Sequence, residues 1–240
     1  MPECIRSTDL LLLPGMMCDA ELWSAQLPRL REQCAVHFGD ITRSESVEAI
    51  ASQVLRDAPG RFVVAGLSMG GIVAMEMWRQ APERIERMAL LDTNFRADAP
   101  ERKVIRDRQI SDVAGGELEA VLRDELKPNY LADCHRGNLA LLDEVLAMGL
   151  SLGSEVFRRQ SLALRDRPDS TDTLPTISCP TLVLCGDEDR LCPPDLHREM
   201  AEQIPGAQLE IIPQCGHLST MEQPAAVTTA LVNWLDNNEE

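Results

Sequence analysis

The sequence predicts an α/β fold: a mostly parallel sheet covered by helices on both faces, with a helical block inserted in it. Three observations carry this. Short apolar runs of strand length alternate with helix-length amphipathic segments at both ends of the chain, an order that calls for right-handed crossovers. For about 80 residues after Asn94 the strand pattern stops and only helix-like segments remain. Finally, the run Phe62-Val63-Val64-Ala65 passes through Gly66-Leu67-Ser68-Met69-Gly70-Gly71 into a helix-length segment, Ile72 to Gln80, so that a strand enters a helix through a serine.

Taken in order, Thr8 to Leu13 reads as a buried strand ending at Pro14-Gly15. Asp19 is the expected N-cap of a helix through Arg31, with Trp23, Leu27 and Leu30 on one face. Cys34 to Phe38 is a second strand, and Ser46 to Arg56 a helix with Val47, Ile50, Ala51 and Val54 inward. After the serine turn come a strand, Glu86 to Leu91, and the helical block. Gly115-Gly116, Lys127-Pro128, Gly137, Gly149 and Gly153 are expected to break that block. Strands resume at Thr181 to Gly186 and at Gln208 to Ile212, with helices at 194–203 and 224–235 and a fraying tail at 236–240. The expected division is a core of 1–93 and 175–240 around an insertion of 94–174. Residues 94–174 hold 12 Lys and Arg against 15 Asp and Glu, whereas the rest holds 11 against 24, so the insertion differs in charge as well as in pattern.

A net charge of −16 argues against nucleic acid and anionic membranes as partners. No apolar run reaches the roughly 18 residues of a membrane helix, and Met1 to Arg6 lacks the regions of a signal peptide. The eight cysteines form neither C-x-x-C pairs nor zinc-like groupings, so reduced thiols in the cytoplasm are expected.

The chemistry is expected at one sheet edge, where the loops after Leu13, Leu67, Leu91, Gly186 and Ile212 converge. Small residues on both sides of Ser68 permit a sharp turn that exposes its hydroxyl, and the following helix aims N–H groups at the same spot. A serine hydroxyl needs a base to act as a nucleophile at neutral pH. Of the four histidines, His37 lies inside a strand and suits a structural role, and His135 and His197 read as solvent-facing. His217, in the loop Gln214 to Leu218 after the last strand, is the candidate base. Asp189, three residues after the glycine that ends the preceding strand, is the favoured acid, with Asp187 and Glu188 as loop neighbours and Asp92 as a competitor on the same edge.

In the order Ser68, Asp189, His217, and in the motifs GLSMGG, LVLCGDEDRLCPP and CGHLSTMEQP, the sequence resembles the α/β-hydrolase superfamily from about Leu10 to Leu235. The resemblance implies the α/β-hydrolase fold with a nucleophile elbow at Ser68, and it makes 94–174 a helical lid. It also implies a Ser-His-Asp catalytic triad, with an oxyanion hole built from the backbone N–H groups of Met69 and Met16. Relatives usually carry a histidine where this chain has Pro14, and many carry a Gly-x-Gly-x-Ser turn where it has Ile41 to Ser46. Few residues precede Leu10, which suggests a trimmed sheet of six to seven strands. The lid is similar to those of small carboxylesterases and 3-oxoadipate enol-lactonases. The implied activity is hydrolysis of a small carboxylic ester through an acyl-enzyme, without metal or cofactor. A lactone or C–C bond is the alternative target, and a ligand receptor that retains the triad is a further one. Met16, Met17, Met69 and Met148 suggest an adaptable pocket, and Arg102, Arg106, Arg158 and Arg159 could meet a carboxylate there.

Overall fold

The computed structural model describes residues 8–236. The expectations for the amino-terminal residues, for Cys4 and for the tail beyond Asp236 lie outside them. The elements run β1 (Thr8–Leu13), α1 (Leu27–Leu30), β2 (Cys34–Phe38), α2 (Val47–Asp57), β3 (Phe62–Leu67), α3 (Met69–Gln80) and β4 (Ile85–Leu91). They continue α4 (Pro100–Ala114), α5 (Leu118–Ala120), α6 (Leu139–Arg165), β5 (Thr181–Gly186), α7 (Pro194–Gln203), β6 (Gln208–Ile212), α8 (Ser219–Glu222) and α9 (Pro224–Asp236). The six strands pair in the order β2-β1-β3-β4-β5-β6, and every pairing is parallel.

The two-residue period of a strand explains why β1 is continuously apolar. Leu10 and Leu12 pack on one layer, which holds Val227, Leu231 and Trp234 of α9, while Leu11 and Leu13 pack on the other, with α2 and α3. All six residues of β3 are buried, since strands flank it on both sides and helices cover both faces. Burying each such large side chain is worth about 1.5–3 kcal/mol relative to exposure. The α2 helix begins at Ser46, whose hydroxyl accepts the Ala49 N–H, and its inward residues are those its spacing predicts, with Leu55 added.

Two expectations need correction. The helix expected from Asp19 to Arg31 is instead a 3-10 turn, Ala20–Trp23, followed by the single-turn α1. Asp19 does accept the Glu21 N–H, but Pro28 has no N–H to carry a helix across the junction. In the insertion, α6 runs through Gly149 and kinks only at Gly153, the residue with a positive φ of 80°. Between α5 and α6 the chain makes π-helical turns at Val121–Leu126 and short 3-10 turns. This segment joins β4 to β5 and packs Leu118, Val121, Leu122 and Met148 against the layer that holds α9.

The β3–α3 junction has no spare room. A Cβ on Gly66 would lie 2.4 Å from the Gly70 carbonyl, one on Gly70 2.3 Å from the Leu13 oxygen, and one on Gly71 2.6 Å from Thr93 Oγ1. Gly66→Ala must therefore move backbone, and its urea midpoint is expected to fall by the equivalent of about 1–3 kcal/mol. Gly60→Ala, with nothing within 4 Å of the added carbon, is expected to leave the midpoint unchanged.

Candidate active site

Ser68 stands between β3 and α3 with φ 54° and ψ −113°, a left-handed conformation that costs a non-glycine residue about 1–3 kcal/mol. Its surroundings hold it there. The Ser68 N–H donates to the Leu91 oxygen at 2.9 Å, and its carbonyl accepts the Thr93 hydroxyl at 2.6 Å and the Gly71 N–H at 3.0 Å. With the backbone so bent, the side chain leaves the sheet edge and its Oγ meets His217 Nε2 at 2.9 Å.

His217 is buried, and its other ring nitrogen, Nδ1, lies 2.8 Å from Asp189 Oδ2. A neutral imidazole that donates from Nδ1 to the carboxylate presents Nε2 as an acceptor to the serine hydroxyl. The Asp189 Oδ1 accepts the N–H groups of Leu191 and Cys192, which fixes the carboxylate. Burial pulls the His217 pKa down, but the charge and hydrogen bond of Asp189, with help from Asp92 and Glu222, outweigh burial and raise it above the ordinary 6.5.

The competing acids are engaged elsewhere. Asp92, itself at φ 45°, accepts the Gly186 N–H at 3.1 Å and the Ser219 hydroxyl at 2.5 Å, and it makes no hydrogen bond to His217. Burial and the charge of Asp189 push its carboxyl well above the usual carboxylate range. Asp187, exposed, accepts the Cys215 N–H and the half-buried Glu188 accepts the Asp133 N–H, so each braces a loop.

The amides of Met16 and Met69 complete the arrangement. Met69 N–H opens α3, and neither it nor Met16 N–H donates to an acceptor among the described residues. The loop that carries Met16 is fixed by a residue that sequence reasoning did not single out: Gln160, fully buried, accepts the Met17 N–H at 2.9 Å and donates to the Ile41 carbonyl. Free N–H groups near an aimed hydroxyl are suited to hold negative charge on a substrate oxygen.

Two of the other histidines depart from expectation, and His37 keeps its place inside a strand. His197 is buried rather than solvent-facing: its Nε2 accepts the Thr93 N–H at 3.0 Å and its Nδ1 faces the Pro193 carbonyl. Burial lowers its pKa to about 4, so it is neutral at pH 7. Its spacing to Met200 and Ile204, three and seven residues on, was a sequence sign of the inward face of α7. His135, also read as solvent-facing, lies 3.1 Å from Glu222 and is half-buried. His37 is half-exposed on the edge strand β2 and pairs with Asp9.

Glu222, unnoticed within the CGHLSTMEQP motif, ties the loop of His217 to the segment between β4 and β5. One oxygen accepts the Gly216 and Leu218 N–H groups, and the other accepts the Ala132 N–H. The His217 N–H donates to the Tyr130 carbonyl at 2.7 Å in the same seam.

Ser68 and His217 open into a cavity of about 490 Å³. Of the four methionines expected at a pocket, only Met16 lines it, while Met17, Met69 and Met148 are core residues. Arg102 and Arg106 line it, but Arg158 and Arg159 lie outside, paired with Glu45 and Glu155. Asp189, Cys192 and His217 offer three metal-ligand types within 4.8 Å. Two of them are spent on each other, and burial with the Asp189 charge keeps the Cys192 thiol protonated, so the trio does not suit a metal.

The model of the alpha/beta hydrolase family matches residues 10–230. Among solved structures, a thermophilic esterase from Thermogutta terrifontis, with malate bound, superposes with a TM-score of 0.87 at 34% identity, covering 95% of this chain and 89% of that one. The enol-lactonase from Burkholderia xenovorans LB400 gives 0.86 at 25% identity, over 95% and 91%. In sequence, the pimeloyl-[acyl-carrier protein] methyl ester esterase of Vibrio campbellii is 26% identical over 91% of each chain.

The raised His217 pKa has a sign that kinetics can read. A hydroxyl can pass its proton only to the neutral ring, so kcat/KM is expected to fall as pH drops, with a midpoint above 6.5. Asp189→Asn removes the dominant raising influence; the midpoint is expected to move down and kcat to drop by about 10³- to 10⁴-fold.

Proposed function

The chain belongs to the alpha/beta hydrolase family, and from that premise we propose that it hydrolyses a small carboxylic ester with Ser68 as nucleophile, His217 as base and Asp189 as the charge that orients and stabilises it. The observation that carries this reading is the continuous chain of contacts from Asp189 through His217 to Ser68, at 2.8 and 2.9 Å, beside two unengaged amides.

In the proposed reaction, His217 takes the hydroxyl proton as Ser68 Oγ bonds to the ester carbonyl carbon. The carbonyl oxygen becomes an oxyanion held by the Met16 and Met69 N–H groups. The C–O bond to the leaving alcohol then breaks, and His217 returns the proton to that oxygen. Water repeats the sequence on the acyl-enzyme, giving the acid and free Ser68. Asp189 stays ionised throughout, and no step calls on a metal or cofactor. Asp92 stands behind the pair without a hydrogen bond to the ring, and through Ser219 and Gly186 it keeps the two loops in register.

The segment 94–174 is proposed as the lid, since Tyr130 lines the cavity and its carbonyl is bound to the backbone of the base. A lactone is the second reading, favoured by the likeness to an enol-lactonase at 25% identity; it is an intramolecular ester, and the same five groups would open it. The proposed setting is the cytoplasm, where the thiols of a chain with eight cysteines stay reduced.

Hydrolysis of p-nitrophenyl acetate, butyrate and octanoate tests the reading. Ser68→Ala is expected to lower kcat by roughly 10⁴- to 10⁶-fold with folding intact. Retention of turnover in that variant would overturn the assignment of the nucleophile.

A further inference from the structure

The cavity beside Ser68 has a charge opposite to that of the protein. The chain carries −16, yet the lining holds five arginines and, as its one carboxylate, Asp98. Two of the five are satisfied at the surface: Arg96 by Glu199 at 2.5 Å and Arg190 by Asp133 at 2.7 Å. The other three are not. Arg106 and Arg167, both buried, share the single carboxylate of Asp98 at 2.5 and 2.8 Å. The guanidinium of Arg102, one helical turn before Arg106 on α4, makes no ion pair or hydrogen bond among the described residues. Three guanidinium groups against one carboxylate leave two positive charges uncompensated beside the nucleophile.

A purely structural Arg–Asp–Arg bridge would not be built this way. Burying a charge without a partner is costly, and a bridge that served packing alone would be better with one arginine fewer. The donors themselves remain available. Arg106 uses Nε on Asp98 and sets Nη1 3.9 Å from the Met16 sulfur, in the loop that carries one of the two free amides. Arg167 uses Nε on the Arg96 carbonyl and Nη1 on Asp98. The Nη2 donors of both have no acceptor among the described residues and are not sealed from solvent. Planar, delocalised guanidinium groups with free N–H donors match the geometry of a carboxylate.

We propose that the cavity selects esters bearing a free carboxylate, such as monoesters of short dicarboxylic acids, with Arg102, Arg106 and Arg167 holding the carboxylate while Ser68 attacks the ester carbonyl. This rests on the hydrolase reading above and adds the class of substrate. Anchoring the far end orients the reacting end, so the gain appears in kcat/KM. The mostly neutral charge balance of 94–174 in an acidic protein acquires a use, because that segment supplies Asp98 and four of the five cavity arginines.

The test compares monoethyl glutarate with ethyl pentanoate, which replaces the carboxylate by a methyl group. Wild type is expected to favour the anionic ester by about ten- to hundredfold in kcat/KM, the range of a charge-assisted hydrogen bond. That ratio is expected to fall in Arg102→Gln and in high salt, and to persist in Arg159→Gln, which removes the same charge outside the cavity. Binding of glutarate to Ser68→Ala, followed by calorimetry, reads the site without turnover and is expected to be detectable and weakened by adding Arg102→Gln. Equal kcat/KM for the two esters, with no glutarate binding, would overturn the carboxylate subsite and leave the hydrolase reading standing. Glutarate bound by Ser68→Ala while wild type turns over neither ester would support the subsite and overturn the hydrolase reading instead.

Discussion

The left-handed backbone of Ser68 is the constraint on which the rest of the site depends. Strain of this kind persists only where neighbours over-determine it, and here they come from three directions. The Leu91 carbonyl takes the Ser68 N–H, Thr93 donates to its carbonyl, and His197, on the buried face of α7, accepts the Thr93 N–H. Glycines 66, 70 and 71 then let α3 approach β3, β1 and Thr93 to distances that no Cβ could share. The same bend that exposes the hydroxyl frees the Met69 amide at the start of α3, so the proposed nucleophile and the proposed oxyanion donor arise from one feature of the chain.

Electrostatics around His217 follow from which carboxylate reaches the ring and which is held elsewhere. Two aspartates approach it from the ends of adjacent strands, β4 and β5. Burial and the charge of Asp189 raise the Asp92 carboxyl, which is held by Gly186 and Ser219, while Asp189 is committed to the ring. Glu222 and the Tyr130 carbonyl extend this order outward, binding the loop of His217 to a segment that lines the cavity. Movement of that segment would therefore be felt at His217. The same segment brings four of the five arginines that give the cavity its positive character.

Much of this could be read from sequence because it is local. A β-branched run, a glycine-flanked serine and a helix-length apolar segment are contiguous, and parallel topology alone gathers the loops after β1, β3, β4, β5 and β6 at one edge. Ser68, Met16, Met69, Asp189 and His217 could be nominated on that basis, and the structure brings Ser68, His217 and Asp189 into contact. What escaped sequence reasoning lies in contacts between distant parts of the chain. Gln160 on Met17, His197 on Thr93 and Arg167 on Asp98 each join residues about 70 or more positions apart, and no local pattern encodes such pairs. Asp189 was favoured over Asp92 by its position in the loop, although both stand at strand ends on the same edge, and the side-chain contact with His217 agrees with that choice. The broken helix after Asp19 is different: Pro28 was a legible signal that the helical spacing of Trp23, Leu27 and Leu30 outweighed.

The central claim is that Ser68 is a nucleophile activated by His217. It is tested most directly by incubating the protein with a fluorophosphonate, which phosphonylates an activated serine, and locating the adduct by peptide mass spectrometry. The account predicts one adduct per chain, on Ser68, forming much more slowly in His217→Ala and in mildly acid solution, where the ring is protonated. Labelling of another serine, or labelling of Ser68 at the same rate without His217, would contradict it.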